Sequence, residues 1–189
     1  MLYPIRKVPE RRMQTLAVLV EDRPGVLNRV ASLFRRRAYN IDSLTVGRSA
    51  MPGVSRMTIV MEADDLTALG VEANLYKLVN VLKVENVTAS ATVVRDLALI
   101  KVRSNAAVRS EILQLCEVFR ARVVDVAIDA LIIEITGTEE KIEGLLEVLR
   151  PFGIIEMARS GVIAMTRGSE PLSRDPHFVH AKVPDREAV

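Results

Sequence analysis

Asp22, Gly25 and Asn40 are the residues of this sequence whose types and spacing best suit ligand chemistry. The run Val20-Glu21-Asp22-Arg23-Pro24-Gly25-Val26-Leu27 reads as a strand end, a turn and a helix start. The first amides of a helix have no intrahelical partner and point outward, and the macrodipole adds partial positive charge there. A carboxylate at that spot accepts two or three backbone N–H bonds. Gly25 lets a ligand approach the backbone without a Cβ in the way. Asp22 lies close enough in sequence to face an ammonium group, so the turn suits both charged ends of a free amino acid. The competing reading has Asp22 capping the helix while Pro24-Gly25 simply turns the chain. Asn40, after Tyr39 at a helix-to-strand junction, carries the same ambiguity. Asn tolerates the left-handed conformation, yet its amide also donates to a carboxylate and accepts from an ammonium. Ile41, with Val26 and Leu27, would add a small apolar wall.

Other chemistries find no footing. The whole histidine inventory is His177 and His180, in a polar, Pro-flanked C-terminal stretch, so no Ser-His-Asp or Cys-His system has its base in the folded body. His177-x-x-His180 beside Asp175 is better read as a solvated tail than as a metal site. The nine glycines form neither G-x-G-x-x-G nor G-x-x-x-x-G-K-[ST], which removes the two familiar phosphate-cradling loops. Cys116 falls at helical spacing with Val108, Ile112, Leu115 and Phe119 and reads as a buried small hydrophobe. The carboxylates are scattered, with no pair at a spacing that selects it for acid–base work. The sequence predicts no catalytic centre, no bound cofactor and no metal.

The elements that must position Asp22 and Asn40 come as one pattern written twice. Residues 15–20 (TLAVLV) read as a buried strand, followed by a helical stripe of Val26, Leu27, Val30, Leu33 and Phe34. Residues 41–46 and 55–61 suggest a hairpin around Met51-Pro52-Gly53. Val71, Leu75, Leu78, Val79 and Leu82 form a second helical stripe, and residues 87–93 alternate as a half-buried strand. The order restarts with LALIKV at 97–102, a helix at 108–119 entered through Ser104-Asn105, and strands at 123–128 and 131–135 around Asp129-Ala130. A helical stripe of Ile142, Leu145, Leu146 and Leu149 stops at Pro151 and Gly153, and strand runs at 154–157 and 162–165 close the pattern. Two copies of β-α-β-β-α-β predict an α+β chain of tandem ferredoxin-like domains. The boundaries are a basic N-terminal extension at 1–14, a first domain at 15–96, a second at 97–168 and a mobile tail at 169–189.

Size and composition agree with this plan. The chain has 189 residues, 49% of them hydrophobic, which is enough for packed cores in two small domains. Its 26 basic against 24 acidic residues argue against a nucleic-acid-coating protein. No apolar run reaches the roughly 20 residues of a membrane-spanning helix. Residues 1–14 lack the apolar core of a signal peptide, and a lone cysteine suits a reducing compartment, so the expected location is cytoplasmic.

Asp22-x-Pro24-Gly25-Val26-Leu27, followed by Arg37-Ala38-Tyr39-Asn40-Ile41-Asp42-Ser43-Leu44, resembles an ACT domain, an amino-acid-sensing module. The resemblance extends to Ser55-Arg56-Met57-Thr58-Ile59, to Lys77-Leu78-Val79-Asn80-Val81-Leu82-Lys83-Val84, and to Phe119-Arg120 leading into Val123-Val124-Asp125-Val126. With the closing run Ala158-Arg159-Ser160-Gly161-Val162 through Thr166-Arg167-Gly168, the chain is similar to the regulatory (small) subunit family of acetolactate synthase, also called acetohydroxyacid synthase (AHAS). That resemblance spans about Leu16 to Gly168 and implies a subunit with no active site of its own. It implies a partner, the thiamine-diphosphate-dependent catalytic subunit with its Mg and FAD, which this chain would activate and make sensitive to valine or another branched-chain amino acid. It further implies a homodimer, with the effector where two ACT domains meet. Asp22, Gly25, Val26 and Leu27 would come from one chain, and Asn40 and Ile41 from the other. Two positions depart from the family pattern: Asp22 stands where many members have Asn, and Ala38 stands where a glycine usually ends the helix.

Three rivals remain in view. An ACT-type sensor for a different enzyme, or an amino-acid-responsive repressor, would share the turn; the repressor also needs a helix-turn-helix, for which the chain has no spare stretch. An RNA-recognition module shares the β-α-β-β-α-β order, but residues 16–20 and 55–61 contain no aromatic side chain on which to stack bases. A small enzyme on this scaffold would need the base and phosphate loops that are missing.

Overall fold

The computed structural model describes residues 10–169 and Leu172. Two compact units result, one built on the chain up to Val93 together with Ala164 onward, the other on Val94–Ile163. In the first unit the order is β1 (Arg12–Glu21), α1 (Val26–Arg36), β2 (Ser43–Arg48), β3 (Val54–Ala63), α2 (Asp65–Leu75) and β4 (Val81–Asn86). Its antiparallel sheet runs β2-β3-β1-β4. The second unit repeats the plan with β5 (Thr92–Arg103), α3 (Arg109–Val118), β6 (Arg122–Val126), β7 (Ala130–Gly137), α4 (Glu139–Leu149) and β8 (Ile154–Arg159) in the order β6-β7-β5-β8, and β9 (Ile163–Thr166) pairs with β5. This is the tandem βαββαβ, ferredoxin-like α+β architecture the periodicities predict.

The division between the compact units falls inside β5, after Val93. His177, His180 and residues 1–9 lie outside the described residues, as does the tail read at 169–189 apart from Ser169 and Leu172. No helix of the described residues is long and apolar enough to cross a membrane, which leaves β-barrels unaddressed.

In the first unit Leu16, Val18 and Val20 turn one face of β1 toward Val26, Val30, Leu33 and Phe34 of α1 and Val71 and Leu75 of α2. Each such buried side chain contributes about 1.5–3 kcal/mol, more than the roughly 1 kcal/mol of a helix cap. Packing therefore fixes α1, and its N-terminus needs no capping side chain. On the opposite face Leu19, Val54 and Leu82 form a separate cluster with Met51 and Leu172. Arg56, also on β3, donates to the Ala164 carbonyl at 2.7 Å. In the second unit the core lies between β5–β7 and α3 and α4, with Cys116 3% exposed within it and its thiol pushed up by burial. The Arg159-Ser160 pair is structural: Arg159 Nε donates to the buried Asp96 carboxylate at 2.7 Å and Nη1 to Glu143 at 2.8 Å, while Ser160 Oγ donates to Asp96 at 3.1 Å.

One expected element moves. α2 stops at Leu75, so Leu78, Val79 and Leu82 do not share its face, and the strand expected at 87–93 lies earlier, at β4. The reason is a bulge. Val18 pairs with Val84 and Val20 with Val81, the register skipping Leu82, so Val81 and Val84 lie on one face of a strand at a spacing of three. With Leu78 before them they imitate a helical repeat. The alternation after Val87 belongs to a loop, held by Asn86 Oδ1 accepting from the Thr88 amide at 3.0 Å and Thr92 Oγ1 donating to the Val87 and Ser90 carbonyls.

Candidate functional site

The turn between β1 and α1 is shaped by backbone bonds at its start. The Asp22 amide donates to the Gly53 carbonyl at 2.8 Å and the Arg23 amide to the Glu21 carbonyl at 3.0 Å. Gly25 is the N-cap of α1 at φ 84, ψ −7, in the left-handed region, and its carbonyl accepts the Arg29 amide at 3.0 Å. No side chain among the described residues caps this helix. Asp22 in particular does not: its Oδ1 accepts instead from Ser55 Oγ at 3.3 Å. Of the two readings of the turn, the capping role for Asp22 is thus not realised. A Cβ added at Gly25 would meet nothing within 4 Å, so the glycine is required by the backbone and not by its own fold's packing. The Val26 amide donates to the Arg23 carbonyl at 3.4 Å, and the next amides of the first turn have no intrahelical acceptor, with the positive end of α1 behind them.

The remaining residues fall into two places. Val26 is 4% exposed in the core, so only its backbone can meet a ligand, whereas Leu27, 45% exposed, offers its side chain. Asp22 also lines a cleft of about 270 Å³ with Arg48, Ser49 and residues 51–54 of the β2–β3 hairpin. Asn40 and Ile41 lie beyond the other end of α1. Eleven residues at about 1.5 Å each separate them from Gly25 by roughly 16 Å of helix. Within one chain these groups do not meet.

Asn40 stands at the entry to β2. Its Nδ2 lies 3.5 Å from Asp42 Oδ1, and Asp42 Oδ2 accepts the Glu62 amide at 2.9 Å, fixing the entry to edge strand β2. Ahead of it α1 ends with the Tyr39 amide on the Phe34 carbonyl at 3.0 Å and the Ala38 amide on the Arg35 carbonyl at 3.2 Å, the paired bonds of a Schellman end. Ala38 takes φ 55, so the alanine bears the left-handed geometry that a glycine usually takes.

The comparisons with known proteins bear on both halves. Residues 16–83 match the family model described as an AHAS small subunit-like ACT domain, and residues 95–168 match the one described as the small subunit of acetolactate synthase. The acetolactate synthase small subunit of Mycolicibacterium smegmatis is 51% identical over 154 residues, covering 82% of this chain and 91% of its own. The probable acetolactate synthase small subunit of Methanothermobacter thermautotrophicus is 49% identical over 158 residues, covering 83% and 94%. The chain belongs to the acetolactate synthase small-subunit family. The crystal structure of the small subunit from Thermotoga maritima superposes with a TM-score of 0.78 at 42% identity, covering 84% of this chain and 99% of that one. In this small subunit the first unit is thereby an ACT domain, and the tandem architecture is that of the family.

Sequence reasoning missed a polar network behind the turn. Glu21 and Asn80 are each 8% exposed; Asn80 Nδ2 donates to Glu21 Oε2 at 2.6 Å, and Arg29 Nη1 donates to Asn80 Oδ1. The Glu21 amide donates to the Asn80 carbonyl at 2.9 Å, and Arg23 Nε stands 3.6 Å from Glu21 Oε2. The available signal was a lone amide inside the apolar run Leu78-Val79-Asn80-Val81-Leu82. Reading 78–82 as a helical stripe hid it. The second unit differs at the corresponding turn. There Asn105 Oδ1 accepts the amides of Ala107 and Val108 at 3.0 and 3.2 Å, closing the turn that leads into α3 with a side chain, where the turn before α1 has a left-handed glycine.

Proposed function

We propose that this chain is the regulatory subunit of an acetolactate synthase, binding and activating the thiamine-diphosphate-dependent catalytic subunit and making it sensitive to a branched-chain amino acid. The single observation that carries the effector reading is the uncapped, glycine-entered N-terminus of α1. The effector carboxylate accepts from the amide of Leu27 and, in place of its 3.4 Å bond to the Arg23 carbonyl, from that of Val26, the Asp22 carboxylate faces the ammonium, and Leu27 contacts the side chain. Asn40 and Ile41 complete the site from a second copy, because within one chain α1 holds them apart. Valine is the expected effector. At about −0.8 kcal/mol per heavy atom it binds with about −6 kcal/mol, or tens of micromolar. Regulation follows by linkage: valine shifts the complex only as far as its affinities for the two states differ.

Calorimetric titration tests the zwitterion chemistry. Valine should bind in the tens of micromolar, while valinamide, lacking the carboxylate, and N-acetylvaline, lacking the ammonium, should each bind at least about tenfold more weakly. Equal binding of all three would reject the turn as a site for both charged ends. A preference for an unbranched or charged amino acid would instead favour a sensor with a different effector.

A further inference from the structure

We propose that Asn80 is a positioning residue for the amino-acid site: it clasps both ends of the turn at residues 22–28 and so sets where the α1 amides meet the effector carboxylate. The inference rests on reading that turn as the effector site. Glu21 is the last residue of β1 and Arg29 the first whose amide bonds back to the Gly25 carbonyl. The seven residues between them hold Asp22, Gly25, Val26 and Leu27. One side chain from the start of β4 touches both flanks, donating through Nδ2 to Glu21 at 2.6 Å and accepting through Oδ1 from Arg29. These two bonds fix the amide's orientation, because a reversed amide would present N–H to a guanidinium that only donates. The backbone bond from the Glu21 amide to the Asn80 carbonyl, 2.9 Å, anchors the same corner.

Both bonds satisfy buried groups, Glu21 through Nδ2 of Asn80 and the Asn80 oxygen through Arg29, and the second does more than satisfy. A buried carboxylate needs donors, and Nδ2 of Asn80 supplies one to Glu21. Arg29 is exposed and could be solvated, yet it reaches the Asn80 oxygen. That second bond adds nothing to the satisfaction of Glu21. What it does is tie the first turn of α1 to the end of β1, across a glycine whose φ of 84 makes it the most deformable point of the turn. The site presents backbone amides, so its affinity depends on their direction, and the clasp holds that direction.

The test is an exchange of partners in the full chain, with valine affinity read by calorimetry and folding by thermal unfolding. Asn80→Asp sets two carboxylates against each other, should open the clasp, and should weaken valine about tenfold. Adding Glu21→Gln to Asn80→Asp restores one donor and one acceptor, with the introduced carboxylate now facing Arg29. Affinity should return to within about threefold of the native value. A merely structural role would move the unfolding temperature in both variants and leave the valine affinity of the folded protein unchanged. If Asn80→Asp does not fold, Arg29→Lys keeps the positive charge but loses the guanidinium's reach, and should weaken valine at least about threefold. Native affinity in a folded Asn80→Asp or Arg29→Lys protein, or no rescue in the folded double variant, overturns the clasp and leaves the effector site standing. If the native chain itself does not bind valine, the effector reading falls and the clasp falls with it.

Discussion

Gly25 does its work by what it leaves out. At φ 84 an L side chain is strained, and no neighbour within 4 Å occupies the space where its Cβ would stand. Replacing it therefore tests the ligand more than the core. Gly25→Asp places a carboxylate at the proposed meeting point of the effector carboxylate and the α1 amides, while Gly25→Asn adds nearly the same bulk, tolerates the left-handed region as well, and carries no charge. Losing bonds to a charged group costs about 1.5–3 kcal/mol, so valine affinity in Gly25→Asp should fall at least about tenfold, and less in Gly25→Asn. Unchanged calorimetric affinity in a folded Gly25→Asp protein would remove this turn from the site. The turn was legible because Asp-x-Pro-Gly at a strand end is local chemistry. The exposure of Leu27 was not, because it falls in the apolar run with Val26 that reads as part of the buried stripe. Asn80 was hidden for a different reason: its partners Glu21 and Arg29 lie 59 and 51 positions away.

Both units end their first helix in the same way. Ala38 at φ 55 and Arg120 at φ 51 occupy the left-handed position. The Tyr39 and Ala121 amides reach back to the Phe34 and Cys116 carbonyls at 3.0 and 2.8 Å. The left-handed region costs an L residue about 1–2 kcal/mol, part of which glycine gives back as extra freedom in the unfolded chain. Ala38→Gly should therefore stabilise the protein by about 0.5–1 kcal/mol, seen as a higher midpoint in urea unfolding. A lower midpoint would show that the alanine methyl makes a compensating contact. Element type was readable wherever periodicity was clean, as in β1, α1 and the β2–β3 hairpin. It failed at β4, where the bulge opposite Leu19 and Val20 turns a strand's alternation into a spacing of three. β8 carries a matching irregularity opposite Lys101 and Val102 of β5, but the short apolar run there still read as a strand because Pro151 and Gly153 end the helical stripe before it.

On the scale of the molecule, the two repeats share an architecture and differ in what their first turns offer. The turn before α1 is entered through a left-handed glycine with Asp22 turned away to Ser55, while the turn before α3 is closed by Asn105 on the amides of Ala107 and Val108. In the proposed site, roughly 16 Å of helix between Gly25 and Asn40 calls for a second copy. Light scattering at micromolar concentration should give at least a dimer; a monomeric mass with and without valine would contradict a site shared between chains. The central claim is that this chain regulates a catalytic partner through that site. The most direct measurement is acetolactate formation by an acetolactate synthase catalytic subunit, with and without this chain, each with and without valine. The account predicts a higher rate when the chain is added, and suppression by valine only when it is present. Equal rates under all four conditions would contradict it.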